Sequence, residues 1–419
     1  MQNDLTESVQ ASIRPGEMKD LMYPGETNIE KQAYPAVVNT RFVQQFTNLG
    51  QGSSQFIISP NGGVSDVILQ FVTPSGTYTN AALPTGWGYS LINRVSVRYG
   101  SSAQYFWSGT QVWLQNVLDS ENGTKVDQLA QIGGNTAVAG ACAAQTAFVY
   151  LKLPHNSCRA SGKPLPFPSD LLVQPIVVTV ELFALNAVLV NQSGTGILAA
   201  APTALASASL QVKQEMLTDS SDQLARRVDM NSHAMTFPLP YFCQQETVVP
   251  ITGAGAQSVN LTGFRAGECK QIVLWFTATS AAGQAGATVP GSGNYQPLLW
   301  QQMSDVNLTY NGEIFARFDA GSSQLWNLVE DSKASVVNNM AVPNAGTAGS
   351  TQTVMYYVKC DFAQVSVPWD RQSLLVHGKP ILNAVVQFNF TAPAAGQLHA
   401  MYLYNSSLLC SRGSAEYIF

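Results

Sequence analysis

The sequence predicts an all-β protein of two tandem eight-stranded β-sandwiches, with short helices in the loops. Two observations lead to this fold class. Apolar residues alternate along short runs that Gly, Pro, Asn and Ser separate, which is typical of half-buried strands joined by turns. The order of these runs in the first part of the chain also recurs further on. The 419 residues therefore divide into two similar halves, each of a size that suits one domain.

The clearest repeated unit spans residues 90–119, and a second copy of it lies 211 positions further on. Val95, Val97 and Tyr99 alternate with polar residues ahead of a glycine, so a strand and a turn are predicted. Residues 114–118 follow with the i, i+3, i+4 spacing of a short amphipathic helix. In the second copy, apolar or aromatic residues occupy the corresponding positions, which are Val306, Leu308, Tyr310, Leu325, Leu328 and Val329.

Three more predicted strands recur in the same order along the chain. Residues 66–72, 150–152 and 176–182 correspond, at offsets of 205, 207 and 208, to residues 271–277, 357–359 and 384–390. The offsets differ only by amounts that loop insertions produce. Because four matches keep one order, we interpret the repeat as a duplication.

The composition divides the chain into four segments. Residues 1–36 are acidic, contain three prolines and show no apolar periodicity, so we expect an N-terminal arm that becomes ordered against neighbours. Residues 37–199 form the first sandwich, and residues 241–419 form the second. Residues 200–240 include the most charged run of the chain, and we interpret them as a connector that is either helical or extended.

The length of each half favours one type of sandwich. An eight-stranded jelly roll closes two four-stranded sheets over one core. Immunoglobulin-like sandwiches have about 100 residues each, so a chain of this length would hold about four of them. The repeat divides the chain into two units only. We therefore predict two tandem jelly rolls.

The composition also predicts a polar but weakly charged surface. Charged residues make up 11% of the chain, against about 25% in a typical soluble domain. The net charge of -5 excludes a global basic field, so we expect no direct sequence-specific binding of nucleic acid. Such a surface suits a protein that buries much of its outside against copies of itself. It also suits a secreted all-β protein.

The sequence shows no pattern of a signal peptide and no run of about 18 apolar residues, so we expect no transmembrane helix. The cysteines form no CxxC pair, which favours free and mostly buried thiols over a disulfide framework. They are Cys142, Cys158, Cys243, Cys269, Cys360 and Cys410.

Sequence motifs of catalysis and metal binding are absent. The four histidines form neither HxH nor HExxH, which are the spacings that hold a metal ion. Neither the GxSxG motif of a nucleophile nor the GxxxxGKS/T motif of a phosphate loop occurs. We therefore predict no enzyme activity, no catalytic residue, no cofactor and no metal site. The histidines are His155, His233, His377 and His399.

One group of basic residues has a functional and a structural interpretation. Arg226, Arg227 and Lys213 have the charge to contact phosphate or lipid headgroups. Such residues more often form a solvated helix face or pair with nearby carboxylates, here Asp222 and Asp229. We favour the structural interpretation.

Tryptophans and glycosylation sequons are interpreted structurally as well. Tryptophans in or beside predicted strands and helices favour core or interface packing over sugar stacking, and they are Trp87, Trp107, Trp113, Trp275, Trp300 and Trp326. The sequons are interpreted as coincidence, since Asn307 and Asn389 lie inside predicted strands. The sequon asparagines are Asn122, Asn191, Asn260, Asn307, Asn389 and Asn405.

Two segments resemble a known family of viral proteins. Residues 86–109, GWGYSLINRVSVRYGSSAQYFWSG, lead into the predicted helix, and residues 301–319, QQMSDVNLTYNGEIFARFD, repeat that pattern. Together with the tandem sandwiches and the polar N-terminal arm, they resemble the double jelly-roll major capsid proteins of icosahedral DNA viruses. The resemblance covers residues 37–419. The family has no catalytic residues to carry over.

The resemblance implies a structural function. Three chains with two jelly rolls each would form a homotrimer of six-sided outline, and such trimers would tile an icosahedral shell. The implied location is the virion capsid, assembled inside the host cell. The implied partners are other copies of the chain, penton proteins and minor capsid proteins. An internal membrane often underlies the shell in this family, but residues 1–36 show no pattern of a membrane helix.

Two alternative functions belong to other classes. A carbohydrate-binding or receptor-binding β-sandwich protein, such as a minor spike or a lectin, would use exposed tryptophans and loop residues. A two-domain cupin-like enzyme would require clustered histidines, and the histidine spacing disfavours it.

Overall fold

Two β-sandwiches follow one another along the chain in the computed structural model of this protein. The structure describes residues 37–78, 81–83, 86–120, 123–134, 140–142, 144–157, 159–160, 163–164, 166–191, 202–217, 228, 234–243, 247–252, 255–264, 268–278, 300–301, 304–310, 313–318, 340–343, 350–353, 357–361, 379–380, 384–389 and 396–418.

The strands of the first half are short, as the spacing of turn residues predicts. They are β1 (Val37–Gln45), β2 (Gly52–Ile58), β3 (Gly63–Val72), β4 (Gly76–Tyr78), β5 (Ala81–Ala82), β6 (Ile92–Tyr99), β7 (Tyr105–Ser108), β8 (Gly140–Cys142), β9 (Thr146–Tyr150), β10 (Arg159–Ala160), β11 (Lys163–Pro164), β12 (Phe167–Pro168), β13 (Ile176–Leu182), β14 (Val190–Asn191) and β15 (Ser207–Leu217).

Short helices occupy loops of the first half. The α-helices are α1 (Trp87–Leu91), α2 (Gly109–Asp119), α3 (Gly123–Ile132) and α4 (Leu185–Val188), and the 3-10 helices are Pro154–Ser157 and Ser169–Leu171.

The described strands of the second half include one that is much longer than the others. They are β16 (Ala234–Cys243), β17 (Thr247–Ile251), β18 (Ala256–Leu261), β19 (Glu268–Ala278), β20 (Trp300–Gln301), β21 (Ser304–Tyr310), β22 (Glu313–Phe318), β23 (Met340–Pro343), β24 (Ser350–Thr353), β25 (Tyr357–Asp361), β26 (Lys379–Pro380), β27 (Ala384–Asn389), β28 (Gly396–Ser411) and β29 (Ser414–Ile418).

The first half has jelly-roll topology. One sheet has the strand order β1-β15-β3, with β9 and β12 also paired to β3. The other sheet has the order β2-β13-β6-β7. The strands within each sheet are antiparallel, and apart from β6 and β7 the neighbours named here are distant in sequence, as in two Greek keys.

The second half repeats this topology. Its sheets have the orders β16-β28-β19, with β25 on β19, and β18-β27-β21-β22. The four strand pairs matched in the sequence occupy equivalent places, namely β3 and β19, β6 and β21, β9 and β25, and β13 and β27. The predicted all-β fold of two tandem jelly rolls is therefore confirmed.

The core of the first sandwich follows the period of two that its strands show. Along β3, Val67, Leu69 and Phe71 are fully buried, and the residues between them are only partly buried. Aromatic rings from other strands complete the core. Phe46 packs edge-on against Phe56 and Phe71, with centroid distances of 4.8 and 5.8 Å.

The predicted helix of the first repeat lies within α2, which begins earlier than the apolar spacing indicates. The Ser108 side chain accepts a hydrogen bond of 3.1 Å from the Gln111 backbone N–H and caps the helix. The Trp113 ring packs 4.9 Å from that of Tyr89 in α1. The second predicted helix, at residues 325–330, lies outside the described residues.

The structure gives reason to move both boundaries of the predicted connector, because β15 lies within it and β16 begins within it. Strand β15, Ser207–Leu217, falls in the segment interpreted as a connector, but it pairs with β1 and β3 inside the first sheet. Its alternating Ala208, Leu210 and Val212 complete the first core, which explains why the strand belongs there. We therefore propose a shorter connector, residues 218–233, between sandwiches at 37–217 and 234–419.

Replacing equivalent core residues should destabilise the two sandwiches alike. Leu69 of β3 and Leu274 of β19 are fully buried in separate cores. We expect Leu69→Ala and Leu274→Ala each to lower the free energy of unfolding by about 2–5 kcal/mol in urea denaturation. Gln55→Ala, at an exposed position of β2, is the control and should have little effect. A negligible effect at Leu274 would contradict the equivalence.

Candidate functional site at the junction of the halves

One sheet of the second half is buried on both faces. Along β19, Ile272, Leu274 and Phe276 belong to the core of the second sandwich. Val273 and Trp275 point to the opposite face and are fully buried in the cluster that also contains the first core. The outer face of this sheet is therefore part of a junction between the two halves.

Strand β28 shows the same division. Leu398, Ala400 and Tyr402 lie in the core of the second sandwich, whereas Met401 and Leu403 belong to the cluster that continues into the first half. A strand whose two faces are both apolar is typical of a sheet covered on both sides. This sheet connects the two halves of the chain through its side chains.

An aromatic cluster lies where the halves meet. Tyr417 of β29 packs against Tyr99 and Tyr105 of the first half, with centroid distances of 6.4 and 4.6 Å. Phe242 of β16 lies 4.9 Å from Tyr105 and 5.1 Å from Tyr417. Such edge and tilted ring contacts add to the stabilisation that burial provides. We call Tyr99, Tyr105, Phe242 and Tyr417 the junction cluster.

Backbone hydrogen bonds reinforce the junction beside this cluster. The Val173 N–H donates to the Gly413 carbonyl at 2.9 Å, and the Ala415 N–H donates to the Ser101 hydroxyl at 3.1 Å. The turn before β29 brings Gly413 there through left-handed backbone at Arg412, with φ of 51°, and at Gly413, with φ of 78°. Strand β29 and the turn before it are thus hydrogen-bonded to the first half, while β29 also pairs with β28 of the second half.

A buried histidine adjoins the junction cluster. The Nδ1 atom of His155 lies 2.6 Å from the Tyr99 hydroxyl, and its Nε2 atom lies 3.3 Å from the Ser65 carbonyl oxygen. An Nε2–H that donates to the carbonyl leaves Nδ1 to accept from the tyrosine. Burial disfavours the charged imidazolium and lowers the pKa of His155 to about 4. The same burial raises the pKa of Tyr99.

An ion pair attaches helix α2 to the sheet of the first half. Lys152, just after β9, contacts the carboxylate of Asp119 at the end of α2, and both side chains are only 9% exposed. Removing one member of a buried pair would leave an uncompensated charge. This pair fixes the loop that contains α2 and α3 against the sandwich.

The structure separates the histidines instead of clustering them. His155 lies near the junction cluster, and His399 of β28 stacks on Trp275 at 5.1 Å. His233 and His377 lie outside the described residues. No group of three or more His, Cys, Asp and Glu side chains in the described ranges is arranged to hold a metal ion.

The basic residues singled out in the sequence are mostly outside the described residues, as are Asp222 and Asp229. Lys213 is described, and it lies on β15 with its Nζ 3.9 Å from Asp66. It therefore belongs to a sheet of the first sandwich and not to a helix face. Of the two structural interpretations, the helix face does not apply at Lys213, because the strand pairing of β15 extends through it.

The tryptophans with described side chains are buried, as predicted. Trp87, Trp107, Trp113 and Trp275 are at most 3% exposed. Trp300 lies in β20, and Trp326 is outside the described residues. The described tryptophan side chains are therefore packed in the interior and do not form a platform for sugar stacking.

The structure gives the positions of most sequon asparagines and the state of three cysteines. Asn307 and Asn389 lie in β21 and β27, as predicted, and Asn260 and Asn405 also lie in strands. Asn191 is in β14, and Asn122 is outside the described residues. Cys269, Cys360 and Cys410 are free and buried. Burial raises the pKa of the Cys269 and Cys410 thiols to about 12.

Within the described residues, no helix has the length and apolarity that crossing a membrane requires. This finding concerns the helices α1–α4, which are all short.

The junction was not predicted from the sequence, although a signal for it exists. The run QIVLWF in β19 and the run AMYLY in β28 are apolar at both parities, unlike the alternating strands elsewhere. That pattern indicates burial on both faces. The identity of the residues on the facing half is not encoded locally, so Tyr99 and Tyr105 could not be assigned to the junction.

The fold is shared with viral capsid proteins of known structure. A quasi-atomic model of the PBCV-1 virus capsid matches with a TM-score of 0.60 at 15% identity, over 92% of this chain and 97% of that chain. The crystal structure of PBCV-1 VP54, fitted into a reconstruction of the virophage Sputnik, gives a TM-score of 0.61 at 15% identity with the same coverage. The Sputnik virophage structure gives 0.52 at 11% identity, over 91% and 88%.

These neighbours are double jelly-roll major capsid proteins, and the likeness establishes a double jelly-roll fold for this chain. No protein-family model and no curated protein sequence matches it.

Removing the Tyr417 ring should weaken the junction. We expect Tyr417→Ala to lower the free energy of unfolding by about 3–5 kcal/mol, because three ring contacts are lost at a buried site. Urea denaturation followed by fluorescence measures the change. Tyr417→Phe keeps the ring and should retain most of the stability. Glu416→Ala, on the exposed side of the same strand, is the matched control. Equal losses for Tyr417→Ala and Glu416→Ala would contradict the assignment.

The buried histidine should make stability depend on pH. Unfolding returns the pKa of His155 from about 4 to its ordinary 6.5, so the unfolded chain binds the extra proton between these values. Stability from this group is complete above pH 6.5 and is lost as the pH falls, by about 1.4 kcal/mol per unit. Unfolding free energies at pH 7 and 5 should differ less in His155→Gln than in the wild type. The same difference in both proteins would contradict this prediction.

Proposed function

We propose that this protein is the major subunit of a DNA virus capsid and that it functions by self-assembly. The observation that carries the proposal is the pair of jelly rolls joined by a sheet that is buried on both faces. The structural neighbours with this fold are virion capsid proteins, which supports a location in the virion capsid.

The proposed mechanism is geometric. The two similar sandwiches of one chain lie side by side and offer two similar surfaces for contacts with neighbouring capsomers. Three chains therefore form a capsomer that contains six sandwiches. Trimers of this outline would tile a hexagonal lattice and close as an icosahedral shell. The proposed partners are copies of the chain within the trimer, neighbouring trimers, and penton and minor capsid proteins.

A structural role rather than catalysis is part of the proposal. We interpret the buried His155 as a residue that contributes to packing, because each of its ring nitrogens has a hydrogen-bonding partner. The alternative of a carbohydrate-binding or receptor-binding β-sandwich lacks a specific supporting observation, because the tryptophans with described side chains are buried.

The proposal predicts the mass of the protein in solution. Three copies of 44.9 kDa give about 135 kDa, and we expect this value from light scattering of the purified chain. Negative-stain images of the same fraction should show compact particles of six-sided outline. A stable monomer of 44.9 kDa at all concentrations would contradict the proposed function and favour a binding module.

A further inference from the structure

The turn between β2 and β3 contains an asparagine followed by a glycine, Asn61 and Gly62. The peptide nitrogen of a residue after asparagine can attack the side-chain amide carbon and form a cyclic imide, which water then opens. Glycine hinders this attack least because it has no Cβ. Asn61 is half-buried, so its side chain is accessible to water. The turn therefore contains both groups that such a reaction joins.

A buried carboxylate contacts the nitrogen that would attack. The Gly62 backbone N–H donates a hydrogen bond of 2.7 Å to Oδ1 of Asp170, which is only 3% exposed. Asp170 lies in the 3-10 helix Ser169–Leu171, 108 positions further along the chain. The donor–acceptor distance lies within the range of about 2.6–3.2 Å over which a side chain removes a proton as a general base. Removing that proton makes the peptide nitrogen a much stronger nucleophile.

The direction of this hydrogen bond is compatible with the attack. A peptide N–H lies in the plane of its peptide group, and its hydrogen bond prefers to be nearly linear. Asp170 therefore approaches the nitrogen within that plane. The amide carbon of Asn61 would approach from above the plane, where the π electrons of the nitrogen extend. The base and the carbon thus do not compete for one position.

Hydrogen bonds of the same 3-10 helix hold the base at the turn. The Ser169 N–H and hydroxyl both donate to the Gly62 carbonyl oxygen, at 3.0 and 2.6 Å. Gly62 has left-handed backbone with φ of 93°, and a Cβ there would collide with the carbonyl oxygen of Glu215. Both the N–H and the carbonyl oxygen of Gly62 are thus bonded to one short helix. A base that is positioned in advance avoids the entropic cost of reaching the reacting atom.

We propose that Asp170 is a general base that converts Asn61 slowly to aspartate and isoaspartate. Asp170 takes the Gly62 amide proton, and the nitrogen forms a bond to Cγ of Asn61. The bond from Cγ to the side-chain nitrogen then breaks, and that nitrogen receives the proton from Asp170 and leaves as ammonia. One water molecule opens the cyclic imide at either carbonyl. Asp170 is restored, and the net reaction consumes water and releases ammonia.

The products would disturb the turn and its connection to the second half. Either product places a new carboxylate near the buried Asp170, and like charges at short distance repel. Isoaspartate also adds a carbon atom to the main chain of a tight turn. The 3-10 helix continues into Leu172 and Val173, whose backbone contacts Gly413 of the turn before β29. We therefore expect the reaction to weaken the junction as the protein ages. The inference does not depend on the proposed function.

The rates in folded and unfolded protein test the proposal without a variant. We expect Asn61 in the folded wild type to convert about tenfold faster than in urea, where Asp170 no longer faces Gly62. Mass spectrometry of peptides after incubation in heavy-oxygen water measures the conversion, because each opened imide incorporates the isotope. Asn122 and Asn311 also precede glycines and provide reference rates in urea. An equal or slower conversion of Asn61 in the folded protein would overturn the proposal and leave Asp170 with a structural role.

Replacing the carboxylate tests the role of Asp170 directly. Asp170→Asn keeps an oxygen that accepts from the Gly62 N–H but is a far weaker base, so we expect Asn61 to convert about tenfold more slowly. Asp66→Asn is the matched control, since it removes a carboxylate of β3 that contacts Tyr150 and Lys213 instead. The control should convert Asn61 at the rate of the wild type. Circular dichroism establishes that each variant is folded. An unchanged or higher rate in folded Asp170→Asn would contradict the assignment of the base.

Substitution also introduces the product of the reaction into the chain. We expect Asn61→Asp to unfold at a lower urea concentration than Asn61→Ser, since only the first adds a charge near Asp170. Fluorescence follows the unfolding of both variants. Asn61→Ser also removes the reacting amide and should abolish isotope uptake at this position. Equal urea midpoints of the two variants would overturn the expected effect on stability.

Discussion

The structure depends on one sheet that must be covered on both sides. In the sheet of β16, β28 and β19, apolar side chains alternate between the core of the second sandwich and the junction with the first half. A fully exposed outer face with Trp275 and Met401 would cost stability in water, at about 25 cal/mol per Å² of apolar surface. The first half removes this cost by covering the face. The two sandwiches are therefore coupled by the hydrophobic effect.

Directional contacts then set the relative position of the halves. Apolar burial alone does not fix one orientation, since it depends on area. The hydrogen bonds from Val173 to Gly413 and from Ala415 to Ser101 do fix it, because they require a definite alignment of β29 with the first half. The ring contacts of Tyr417 add preferred angles at the same place. A defined relation between sandwiches is what a repeating lattice would need.

His155 at the junction and the Lys152–Asp119 pair of the first half each have polar partners in the interior. His155 has a hydrogen-bonding partner for each ring nitrogen, and burial keeps it neutral. Lys152 and Asp119 compensate each other's charge beneath the loop of α2. These groups contribute to one packing arrangement of the core, in agreement with a protein whose proposed activity is assembly.

The sequence by itself determined the elements, their duplication and the class of fold. Period-two runs such as Val67, Leu69 and Phe71 identify strands because side chains alternate across a sheet, and the constant order of four matched strands identifies the two halves. Strand β15 escaped prediction because its charged residues obscured the alternation that places Leu210 in the core. Only the tertiary structure decided which face of each sheet is covered, and by what. That outcome depends on residues hundreds of positions apart, such as Tyr99 and Tyr417, whose contact no local pattern specifies.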